Sequence, residues 1–153
     1  MCEGVNEETI ATIIAIFPRL TNLDLTACPG VTDLGIRAIK SSVLTSLTIE
    51  FCQRLDPQNL VALPILCPSL QSLDISGCFK VDDLAVETFA KVCPSLPNLT
   101  HINLRQIDKI SRLAIQTLAS ASPSLRSLYF KSVRISDADF VALRRTFPQL
   151  EFS

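Results

Sequence analysis

The 153-residue sequence has no tryptophan, one histidine, one tyrosine, one methionine and four glycines. His101 is the only imidazole, and no Cys or Ser near it sits on a turn of the nucleophile type, which leaves nucleophilic catalysis without support. Gly30 and Gly35 flank a helix cap without the spacing of a phosphate-cradling loop. Charge is sparse as well: 14 Lys+Arg stand against 15 Asp+Glu, a net charge of −1, so no global field draws the chain to nucleic acid or anionic lipid. Residues 13–17 form an apolar run of five, far short of the roughly 20 a membrane helix needs, and the first eight residues are acidic where an export signal would be basic. These absences predict a non-enzymatic chain without cofactor, metal or membrane span, working in the cytoplasm or nucleus.

What the chain does have is aliphatic bulk. Hydrophobic residues make up 48%, with 22 Leu and 14 Ile, and 153 residues suit one domain with its own core. The leucines are periodic. Leu20-x-x-Leu23-x-Leu25-x-x-Cys28 returns from Leu44 to Cys52 and from Leu70 to Cys78, then from Leu99 to Ile107 and from Leu125 to Val133 with the Cys replaced. A sixth copy opens at Leu150, and the mean spacing of 26 residues is that of a leucine-rich repeat.

A second column keeps the same period. Asn6, Thr32, Asp56, Asp82, Ser111 and Ser136 are all helix N-cap types, and each follows an aliphatic residue. Four and seven positions after each cap stand apolar residues, from Ile10 and Ile13 in the first copy to Phe140 and Leu143 in the last. That spacing forms one buried helical stripe. Prolines 18, 68, 94, 123 and 148 mark the helix ends. Each unit is thus predicted to be one strand and one helix, and the three extra residues of the third unit are placed in the loop around Leu96-Pro97-Asn98. Stacked units predict an α/β leucine-rich-repeat solenoid of right-handed strand-helix repeats, with a concave parallel sheet and convex helices. It comprises residues 1–153 as a single domain of five complete repeats plus partial terminal ones, read as part of a longer protein because neither end shows a polar cap.

The pattern L-x-x-L-x-L-x-x-C followed by V-T-D-x-G-I, as in residues 20–36, resembles the cysteine-containing leucine-rich repeats of F-box substrate receptors of cullin-RING ubiquitin ligases and of the antagonist-of-mitotic-exit-network family. The resemblance implies a protein-recognition module, the substrate-binding part of a ligase receptor, whose adaptor would dock through an F-box segment that this sequence lacks. Its alternative is a subunit of a DNA-repair scaffold, since a similar leucine-rich-repeat subunit occurs in a fungal nucleotide-excision-repair ligase. There the basic rim would contact nucleic acid or a phosphate ligand.

The six cysteines show no C-x-x-C and no histidine at ligand spacing, so Cys28, Cys52 and Cys78 are expected as stacked core thiols, Cys67 and Cys93 as thiols at helix ends, and Cys2 as exposed and incidental. Alternation along the strands leaves one polar face. On it Asp24, Glu50 and Asp74 make the first three strands acidic, whereas His101, Arg105 and Lys131, with Tyr129, make the last two basic. The two ends lie about 19 Å apart across four strand gaps, beyond the Debye length of about 8 Å, so each acts as its own patch. Arg54, Lys80, Lys109 and Arg134 recur on the loops after the strands, where Phe51 and Phe79 offer apolar anchors. Four cations are sparse for a nucleic-acid channel, and the expected partner is a protein. Arg105 and Tyr129 rank first among the candidate contacts, because these residue types dominate binding hot spots.

Overall fold

In the computed structural model, which describes residues 4–131 and 134–153, the chain alternates helical elements and strands. The order is α1 (Glu7–Ile16), β1 (Asn22–Asp24), α2 (Asp33–Ala38), β2 (Ser46–Thr48), a 3-10 helix (Pro57–Ala62) continuing into α3 (Leu63–Leu66), β3 (Ser72–Asp74), α4 (Asp83–Ala90), a 3-10 turn (Cys93–Ser95), β4 (His101–Arg105), α5 (Arg112–Ala121), β5 (Ser127–Lys131), α6 (Asp137–Thr146) and β6 (Glu151–Phe152). The strands form one six-stranded sheet in chain order, parallel throughout. Leu23, Leu47, Leu73, Ile102, Leu128 and Phe152 are aligned across it, and all are buried. The helices pack side by side over that apolar face, and strand and helix residues share a single core cluster. Positions expected at Cys2 and Val133 lie outside the described residues.

Local chemistry sets the helix starts. Each of the six cap residues read from the sequence sits at an N-cap with extended backbone. Asn6, Asp56, Asp82 and Ser136 accept a backbone N–H with their side chains, and Ser136 with Asp139 closes a capping box. Two first-turn acids also tie neighbouring units together: Asp33 Oδ1 accepts the Asp56 N–H at 2.7 Å, and Asp83 Oδ1 accepts the Ser111 N–H at 2.6 Å. Of the twelve stripe positions ten are buried. The exceptions, Ile13 and Phe140, belong to α1 and α6, which have a helical neighbour on one side only.

Three details depart from the expected pattern. The third helical segment is broken into a 3-10 run and a single α-turn, because Pro64 has no N–H to donate to the carbonyl four residues back. The extra residues of the third unit form the 3-10 turn Cys93–Ser95, and Leu96 takes the turn position held elsewhere by Cys67 and Ser122, with closely similar dihedrals and the same bond to the following Leu. Cys67 and Cys93 are therefore buried at helix ends but are not equivalent positions. The sixth copy does open at Leu150, yet its second apolar position is Phe152, one residue early; the Phe152 ring packs with Phe130 and Phe140 and draws the strand into that register.

Candidate partner-binding face

The side of the sheet away from the helices carries two aligned rows. Asn22, Ser46, Ser72, His101, Ser127 and Glu151 form one, and Asp24, Thr48, Asp74, Asn103 and Tyr129 the other. A third row continues past the short strands through ladder bonds: Ala27 N–H to the Glu50 carbonyl (2.7 Å), Phe51 N–H to Ser76 (3.0 Å) and Gly77 N–H to Arg105 (2.9 Å). It runs Thr26, Glu50, Ser76, Arg105 and Lys131, so acid and base stand on either side of Ser76.

Exposure is uneven along these rows. Asp24, His101, Arg105 and Lys131 are exposed, and Glu50, Asp74 and Tyr129 are half-buried. Ser76 and Ser127, which alternation places on the open face, are buried. Each is a small side chain between two long ones: Glu50 and Arg105 flank Ser76, and His101 and Glu151 flank Ser127.

Hydrogen bonding divides the charged residues by role. Asp24 Oδ1 accepts the Thr26 N–H (2.9 Å) and its hydroxyl (2.6 Å); Asp74 Oδ1 does the same for Ser76 (2.9 and 2.5 Å). Asp74 Oδ2 also accepts Asn103 Nδ2–H at 2.7 Å, and Asn103 Oδ1 accepts the Arg105 N–H at 3.1 Å. At β1 and β3 these carboxylates hold the turn that ends the strand, which is work inside the fold. Arg105 is different. Its guanidinium lies 5.0 Å over the Tyr129 ring and donates to Ser153 Oγ at 2.6 Å. Lys131 is its register partner on β5. His101 Nδ1 shares a 2.8 Å hydrogen bond with the Thr100 hydroxyl.

The turn after each of the first four strands is left-handed at one repeat position: Ala27 (φ 52°), Phe51 (φ 56°), Gly77 (φ 64°) and Gln106 (φ 59°). Only one of the four is glycine, so composition hides the position and only its repeat spacing marks it. Gly77 is needed for a second reason, because a Cβ there would stand 2.3 Å from the Phe51 ring. Phe51 in turn meets Phe79 edge to face at 6.4 Å, and Phe79 stays 54% exposed. Of the rim cations Arg54, Lys80, Lys109 and Arg134, all exposed, the structure joins the last two: Arg134 donates to the Lys109 carbonyl at 3.3 Å.

The thiols face inward. Cys52 Sγ donates to the Leu25 carbonyl (3.3 Å) and Cys78 Sγ to the Ile49 carbonyl (3.1 Å), each reaching into the preceding unit. Burial pushes Cys52, Cys67, Cys78 and Cys93 up to about 11; backbone hydrogen bonds oppose this at the first three and the Ser122 hydroxyl at Cys93. Among the described residues no disulfide joins the cysteines and no cluster of metal-ligating side chains occurs.

A cleft of about 500 Å³ that the repeat pattern does not reveal opens beside β5 and α6, lined by Arg105, Phe130, Lys131, Ile135, Phe140 and Ser153 together with Ser136 and Asp137. The signal for it was three phenylalanines at 130, 140 and 152, whose rings pack together with centroids 5.6 to 6.3 Å apart.

No protein-family model and no curated protein matches the chain. Solved structures do. One, from the crystal structure of a Rad7 and Elc1 complex in yeast, aligns at a TM-score of 0.54 and 18% identity over 97% of this chain and 44% of the other. Another, actin-binding site 2 of leiomodin-1, aligns at a TM-score of 0.57 and 13% identity over 96% of this chain and 76% of the other. At these identities the likeness is one of fold: an α/β repeat architecture. The chain spans less than half the length of the yeast protein chain it resembles.

Proposed function

We propose that the chain is a non-catalytic protein-recognition module, a leucine-rich-repeat solenoid that binds its partner on the open face of the sheet. The observation that carries this reading is the set of aligned side chains on that face, where Arg105 and Tyr129 are braced against each other above a fully buried apolar layer. Such a face gives a rigid, periodic contact surface, and the preset side chains lose little freedom on binding. The two fold neighbours come from a two-protein complex and from an actin-binding site. By the resemblance of its repeats, the chain serves as the substrate-binding part of an F-box-type ligase receptor in the cytoplasm or nucleus, with the adaptor docked through a segment outside this sequence. Among the described residues no helix is long and apolar enough to cross a membrane.

The test is affinity capture with the full-length protein, run beside a DNA titration at two salt concentrations. A protein partner at stoichiometric yield and no salt-dependent DNA binding are the expected results. Recovery of a cullin adaptor extends the reading to a ligase. DNA affinity that falls steeply with salt, without a captured protein, overturns it in favour of a nucleic-acid scaffold acting through the rim cations.

A further inference from the structure

Arg105 and Lys131 face each other in register on β4 and β5; both are exposed, and neither has an ion-pair partner among the described residues. Like charges directly opposite on neighbouring strands destabilise a sheet, and an anion bridging them removes that cost. Arg105 is also fixed in place, between the Tyr129 ring and Ser153 Oγ. The pair borders the cleft of about 500 Å³ whose apolar walls are Phe130, Ile135 and Phe140, a size suited to a buried side chain or small ligand. One acid lines the cleft without pairing to these cations: Asp137, in the first turn of α6.

We propose that the cleft and the Arg105–Lys131 pair form a binding site for an extended acidic peptide of a protein partner. Its carboxylates bridge the two cations, and an adjacent apolar side chain enters between Phe130, Ile135 and Phe140. A planar carboxylate matches the guanidinium fork, and the ring beneath Arg105 holds that fork ready. Two cations are few for a polyanion, whereas the apolar walls require a side chain that a phosphate backbone does not carry. This inference rests on the protein-recognition reading and narrows it to one part of the face.

The experiment probes an array of octapeptides, each with a central Leu, Ile, Phe or Val and from zero to three Glu, with the full chain. Signal is expected on peptides with two or three Glu, weakening with salt. Arg105→Ala and Lys131→Ala, each first shown to be folded at the assay temperature, should reduce it about tenfold, the scale of one lost charge-assisted hydrogen bond. Tyr129 is the only tyrosine in a chain without tryptophan, so its emission reports this site alone and should change saturably with the best peptide. The proposal is overturned if no peptide binds, if binding ignores the number of Glu, if both variants bind normally, or if single-stranded DNA binds in place of every peptide. A captured protein partner that binds wild type and both variants equally would remove this site and leave the recognition reading standing. Glu-dependent peptide binding without any captured partner would do the reverse.

Discussion

The guanidinium of Arg105 lies 5.0 Å above the ring of Tyr129, one strand away, and reaches past it to Ser153, the residue after β6. At an exposed site such a contact is worth roughly 0.5–1 kcal/mol. Arg105→Ala is therefore expected to lower stability by no more than about 1 kcal/mol while altering tyrosine emission measurably. A loss of several kcal/mol in urea unfolding would instead make Arg105 a folding residue and weaken its assignment to the contact surface.

Leu73 is fully buried at the middle of the sheet, aligned with Leu47 on one side and Ile102 on the other. Leu73→Ala should cost about 2–5 kcal/mol through the cavity it leaves. Wild-type-like melting would contradict the packing described.

The left-handed turn position gives substitutions of opposite sign. Gly77→Ala meets the Phe51 ring and adopts a strained φ, so it should destabilise by more than the roughly 1–2 kcal/mol of the backbone alone. Ala27→Gly and Gln106→Gly relieve the same backbone strain at the cost of a freer unfolded chain, and should be neutral to stabilising by about 1 kcal/mol. Equal losses at all three sites, read from thermal melts, would refute this reading of the turn.

Helix caps can be separated the same way. Asp82 accepts the Ala85 N–H at 3.0 Å, whereas the Thr32 side chain makes no capping bond. Asp82→Ala should cost about 0.5–2 kcal/mol and Thr32→Ala clearly less, a difference that paired urea curves resolve.

The buried thiols make stability fall in alkali. Their ordinary value is 9.0, and in the fold Cys52, Cys67, Cys78 and Cys93 stand at about 11. Below pH 9 both states hold these protons and the contribution is complete. Between about 9 and 11 the unfolded chain releases protons that the folded chain keeps, so stability drops by up to about 1.4 kcal/mol per pH unit for each thiol. Urea midpoints should decline from pH 8 to pH 10, less steeply in a Cys52→Ala/Cys78→Ala variant. An identical decline in that variant would assign the effect to other groups.

The repeat made much of this fold legible. Leucine spacing gave the strand positions and the cap column gave the helix starts, because each residue type answers to a local geometric need. What escaped was set by non-local packing. Phe152 pulls the sixth strand one residue out of register through contacts with Phe130 and Phe140. Asp24 and Asp74, read as surface charge, turn out to hold the strand-ending turns, a distinction that rests on side-chain direction. Ser76 and Ser127 alternate outward yet are covered by longer neighbours. The cleft depends on three elements meeting, so no single repeat signals it.

The most direct test of the central claim compares binding of the captured partner to wild type, Arg105→Ala, Tyr129→Ala, Arg54→Ala and Lys80→Ala, each confirmed to be folded at the assay temperature. Recognition on the sheet face predicts that the first two substitutions weaken binding by about tenfold or more and that the two rim substitutions leave it near the wild-type value. Wild-type affinity in both face variants, with a loss in either rim variant, would place the contact on the loops and contradict the account.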